Sequence, residues 1–83
     1  MTFVLTQVDS EETLIEKTEF ETIPNLQQFK EVAYFVDILE VKRAYAEIIE
    51  SIGEWVYVTA ADEDGFGEHY VDEGVYFLLE EIN

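Results

Sequence analysis

The sequence predicts an α+β fold, a small antiparallel sheet packed against one or two helices, as a single domain over residues 1–83. Three observations lead there. Thr2–Val8 alternates polar and apolar residues, the period-two pattern of a half-buried strand. Val41, Tyr45, Ile48 and Ile52 recur at i, i+4, i+7 and i+11, which predicts an amphipathic helix over 38–52. The run EWVYVTAA, residues 54–61, is rich in β-branched and aromatic residues and reads as a second strand.

The remaining elements follow in chain order. TLIEKTEFETI, residues 13–23, reads as a strand through its threonines and the alternation Thr18, Phe20, Thr22, although Ser10-Glu11-Glu12 could instead open a helix. Pro24, the one proline, suits a break between that extended segment and a helix start. Leu26, Phe29, Ala33 and Val36 then sit at helical spacing over 25–36, while Val32–Val36 alone could form a buried strand. Asp37 is a suitable cap for the helix 38–52, and Gly53 supplies its stop. Asp62–Gly67 reads as a turn. His69–Val71 and Val75–Glu81 would complete a meander, joined at Asp72–Gly74. The last segment could equally be a helix with Val75, Leu78, Leu79 and Ile82 on one face.

Composition bounds the function. The chain carries 20 Asp and Glu against 4 Lys and Arg, a formal charge of -16, yet 48% of its residues are hydrophobic and 14% aromatic. Disordered acidic tails lack that apolar content, so the chain should fold. The charge opposes direct contact with nucleic acid or an anionic membrane, since both would repel it. No apolar run approaches the roughly 20 residues of a membrane span. The first eight residues, MTFVLTQV, have neither a basic start nor a long apolar run, so cytoplasmic residence is expected. Without cysteine there is no disulfide and no thiolate metal ligand.

The charge is also uneven. Residues 46–83 hold eleven acids and no Lys or Arg, interleaved with Trp55, Tyr57, Phe66, Tyr70, Tyr76 and Phe77. On the helix 38–52, the side opposite the apolar stripe carries Glu40, Arg43, Glu47 and Glu50, with Glu54 just beyond Gly53. Glu47 and Glu50 are helical neighbours, about 5–6 Å apart. Further clusters stand at Asp62-Glu63-Asp64, at Asp72-Glu73 with nearby Glu68, and at Glu80-Glu81. Each like-charge contact costs roughly 0.2–0.5 kcal/mol, and a small domain has only about 5–15 kcal/mol of stability. Mimicry of a nucleic-acid backbone explains why a chain would accept this repeatedly. Duplex DNA places one negative charge per about 1.7 Å of axis. A rigid body bearing carboxylates could fill a groove built for phosphates. The simpler alternative is that surplus glutamate only maintains solubility.

Catalysis finds little support. One His and two Ser, with Ser10 and Ser51 far from His69 in sequence, make a poor nucleophile and base set. Among 20 carboxylates a pair carries almost no information, and 83 residues hardly enclose a cleft. The GxG of Gly65 and Gly67 lacks the rest of a phosphate-binding fingerprint. A non-enzymatic binding protein without cofactor or metal is expected. One stretch does resemble an EF-hand loop. Asp62, Asp64, Gly67 and Glu73 occupy its first, third, sixth and twelfth positions, but Phe66 at the fifth supplies no oxygen. A strand instead of a helix precedes it, so an acidic hairpin turn competes with a calcium-binding module.

With patches such as Glu47-Ile-Ile-Glu50 and Asp62-Glu63-Asp64 on a cysteine-free α+β chain, the protein resembles in kind the small acidic inhibitors of bacteriophages and mobile elements. These include anti-restriction and anti-CRISPR proteins and the uracil-DNA glycosylase inhibitor. The resemblance is one of type and aligns no motif. It implies a stoichiometric inhibitor, monomer or homodimer, that blocks the nucleic-acid-binding surface of a basic DNA- or RNA-processing protein. The partner-binding residues expected are Glu47, Glu50, Glu54, Asp62, Glu63, Asp64, Glu68, Asp72 and Glu73. An immunity protein or antitoxin that covers a basic nuclease is the alternative, and an assembly component a further one.

Overall fold

In a computed structural model, which describes residues 2–34, 38–59 and 74–82, the chain forms one four-stranded antiparallel sheet and two helices. The elements are β1 (Thr2–Asp9), β2 (Leu14–Phe20), α1 (Leu26–Val32), α2 (Ile38–Glu50), β3 (Trp55–Thr59) and β4 (Gly74–Ile82). This is the α+β class the sequence predicts. The strand order is β2-β1-β4-β3, so the first and last strands pair at the centre. The segment 74–82 is a strand, which settles its helix alternative. Its residues pair on both sides, Leu79 with Leu5 and Phe77 with both Gln7 and Val56. Gly74 opens that strand and does not belong to a turn. Its Cβ position is taken by the Tyr57 ring, with Cε1 at 2.6 Å, so only glycine leaves room for that ring. The expected turn at 62–67, the strand at 69–71, the Asp37 cap and the calcium-like loop lie outside the described residues.

Period-two alternation sorts the strands into two faces. One face presents Leu5 of β1, Val56 and Val58 of β3, and Val75, Phe77 and Leu79 of β4. Against it pack Phe29 of α1 and Val41, Ala44 and Ile48 of α2, all buried. Phe29 lies 5.4 Å from Phe77 between ring centroids and 5.8 Å from Tyr45. The helical stripe differs from the expected one at two points. Ala44 is buried, its small side chain letting the helix approach the sheet, whereas Ile52 lies past the helix end and is 37% exposed.

Local chemistry fixes the connections. Ser10-Glu11-Glu12 opens a turn and not a helix. The Asp9 carboxylate accepts from the Glu11 and Thr13 N–H groups at 2.9 and 2.8 Å, and Glu12 takes a left-handed φ of 67°. Asn25 caps α1 in a capping box with Gln28, one residue after Pro24. Tyr45 donates its hydroxyl to the Pro24 carbonyl at 2.8 Å, tying the start of α1 to α2. The fully buried Gln7 of β1 serves the other end of α1. Its Nε2 donates to the Val32 carbonyl and its Oε1 accepts from the Tyr34 N–H, both at 2.8 Å. A helix leaves its last carbonyls unsatisfied, and Gln7 meets one of them from the sheet. Gly53, at φ 91°, ends α2 and donates its N–H to the Leu79 carbonyl at 2.8 Å.

Candidate partner-binding surfaces

Three of the expected site residues fall in described segments. Glu47 and Glu50 are exposed on the last turns of α2, the pair that helical spacing brings together. The last turn of α2 contains no basic residue, and carboxylates there also oppose the negative end of the helix dipole. The acidic row is shorter than an extension to Glu54 would make it. Arg43 stands one turn before Glu47, and both line a small hollow with Ala44, Tyr57 and Val58 beside β3. Glu54 does not extend the row. The turn at 51–53 reverses the chain, so Glu54, also exposed, stands at the base of β3 ahead of Trp55. Asp62, Glu63, Asp64, Glu68, Asp72 and Glu73 lie outside the described residues. Among the described residues, no three His, Asp or Glu side chains gather as metal ligands, and no helix is long and apolar enough to cross a membrane.

The second surface is the sheet face turned away from the helices. Strand register places Leu14, Val8, Tyr76 and Tyr57 in one row across it, and Lys17, Thr6, Leu78 and Trp55 in the next. Both helices contribute their buried residues to the opposite face. The outer face keeps large apolar groups in view, with Leu14 54%, Trp55 52% and Tyr57 38% exposed. Its aromatic residues form one cluster. Tyr57 and Tyr76 approach to 4.6 Å between ring centroids, and Trp55 meets Tyr76 edge-on at 6.5 Å and 85°. Trp55, Val8 and Tyr76 line a hollow of about 430 Å³, and Glu12 comes over its rim from the β1–β2 turn.

Sequence reasoning identified these aromatics as interleaved with acids but did not separate them. Phe77 is core, while Trp55, Tyr57 and Tyr76 share the outer face. The parity of β3 carried the signal, because Val56 and Val58 claim the inward positions and leave Trp55 and Tyr57 outward. Glu12 had no such signal, since its place beside Trp55 depends on sheet order. Comparison with known proteins returns no matching family model, curated protein or solved structure.

Proposed function

We propose that the protein is a non-enzymatic, stoichiometric inhibitor that occupies the basic nucleic-acid-binding surface of a DNA- or RNA-processing protein, its carboxylates standing in for phosphates. The observation that carries this reading is a formal charge of -16 on a chain with a packed core. Eleven acids and no Lys or Arg fall in residues 46–83. Glu47 and Glu50 are held side by side on α2 despite their mutual repulsion and the helix dipole. A groove lined with Lys and Arg would relieve both penalties on binding and release the cations gathered around the carboxylates, as it releases those condensed on nucleic acid.

The test is capture from a host lysate at low salt, eluted stepwise with salt and then with duplex DNA. A nucleic-acid enzyme that DNA displaces is the expected result. Replacing Glu47 and Glu50 by Gln, and Asp62 and Asp64 by Asn, should weaken that capture about tenfold or more, the scale of close interfacial charge pairs. The salt dependence should flatten as well. Unchanged affinity in the fourfold variant would sink the mimicry reading. The exposed Trp55 and Tyr57, clustered with the half-buried Tyr76, favour a second reading, because aromatic anchors dominate protein–protein hot spots. An immunity protein or antitoxin would hold one basic nuclease that DNA cannot displace.

A further inference from the structure

We infer that the hollow on the outer sheet face, lined by Val8, Trp55 and Tyr76 with the Glu12 carboxylate at its rim, receives an arginine side chain from a basic segment of the partner protein. The inference deepens the proposed function and rests on its premise that the partner is basic. Three observations lead to arginine. First, Trp55 and Tyr76 stand at 85° to one another and give the hollow two aromatic walls, and Trp55 is 52% exposed. Aromatic faces attract cations, and a guanidinium both stacks on them and is more weakly hydrated than an ammonium.

Second, the polar group at the rim is an acid. Glu12 is held over the hollow by a turn that the Asp9 carboxylate fixes, with Glu12 donating its N–H to the Asp9 carbonyl at 2.9 Å. A carboxylate beside an aromatic wall offers a guanidinium both a hydrogen-bonded ion pair and a stacking surface.

Third, the surrounding charge selects against other occupants. Register places Glu19 and Glu80 on the same face, opposite Val4, with Lys17 as the basic residue among the described positions there. A second copy of the chain would bring another -16 and its own Glu12 and Glu80 against these acids. Nucleic-acid bases could stack on the rings, but their phosphates would be repelled. A cationic segment meets three acids on this face, Glu12, Glu19 and Glu80, against the single like charge of Lys17 among the described positions.

The experiment uses the intact protein and exploits its single tryptophan, whose fluorescence and indole N–H resonance report this hollow directly. The probe is an acetylated hexa-arginine peptide titrated at about 150 mM salt, where bulk attraction is screened beyond about 8 Å. The Trp55 signals should shift and saturate, and hexa-lysine of equal charge should bind about fivefold more weakly. Glu12→Gln, on an exposed turn, should weaken hexa-arginine binding about fivefold or more. Peptide binding with Trp55 silent would overturn the inference while leaving the acidic-row reading untouched. So would equal affinity for the two peptides together with an indifferent Glu12→Gln, which would reduce the effect to bulk charge. Absence of binding would overturn it too, and the lysate capture judges the basic partner independently.

Discussion

At the scale of single residues, Gln7 shows how one polar side chain holds two layers together. It is fully buried in β1, one of the two central strands, and its amide both donates to the last residue of α1 and accepts from Tyr34, two residues further on. No apolar residue can do that. Gln7→Leu keeps volume but leaves the Val32 carbonyl and the Tyr34 N–H without these partners. Both bonds are part-buried, so at the lower end of the scale for an unsatisfied group, about 1–2 kcal/mol each, it should lose about 2–4 kcal/mol in chemical denaturation. A loss within experimental error would mean that water replaces the amide. Gln7→Glu separates the two bonds by pH. The ionised carboxylate still accepts from Tyr34 but cannot donate to Val32, and burial raises its folded pKa above the ordinary value of about 4.3. A raised folded pKa gives stability that is present below the unfolded value and lost as pH rises through the folded one. The gap between Gln7→Glu and the parent should therefore narrow as pH falls toward 4. A gap that widens in acid would contradict this account.

At the scale of elements, α2 sets the proposed function against stability. Its inward stripe of Val41, Ala44 and Ile48 anchors it, while its last turn carries Glu47 and Glu50 without a basic residue. Glu50→Lys relieves the repulsion and complements the helix dipole. It should raise stability by about 0.3–1 kcal/mol, read as a higher thermal midpoint, while weakening capture of the basic partner. A fall in stability would show that Glu50 makes a favourable contact of its own. β1, α2 and β3 were legible from their periods, whereas β2, α1 and β4 kept a helix or strand alternative, because a short apolar run fits both periods. Thr18 and Phe20 share one face of β2, as their alternation implies, and lie opposite Leu5 and Phe3. What local pattern could not carry was the partner of each strand. The pairing of β1 with β4 joins residues 66 to 80 positions apart, from Asp9 with Val75 to Thr2 with Ile82, and that pairing, with β4 beside β3, places Trp55 within reach of Glu12. The acidic row was legible at Glu47 and Glu50, where helical spacing governs. It failed at Glu54, because the left-handed Gly53 turns the chain out of the helix. Gln7 was likewise invisible, since a glutamine in an alternating strand looks like a solvent-facing position until a helix end is set against it.

At the scale of the whole molecule, the dominant electrostatic fact is repulsion. Four Lys and Arg can engage at most a few of the 20 acids, and exposed ion pairs contribute only about 0–1 kcal/mol each. Salt would weaken those few pairs. It would also screen the mutual repulsion of the remaining carboxylates, which destabilises any compact state of high net charge. The two effects have opposite signs, and the imbalance of 20 acids to 4 bases decides between them. Raising ionic strength from about 0.01 to 0.15 M shortens the Debye length from about 30 to 8 Å. The folded state should gain on the order of 1 kcal/mol, and for a domain of this size such a gain appears as about 4–8 °C in the thermal midpoint. The same salt should loosen the complex with a basic partner, because that attraction is screened by the same ions. A protein that becomes more stable alone and less tightly bound over one salt range is what a charge-driven inhibitor predicts. A midpoint that falls with added salt would mean that the four bases are placed so favourably as to outweigh sixteen uncompensated acids, and the repulsion that partner binding is proposed to relieve would not exist.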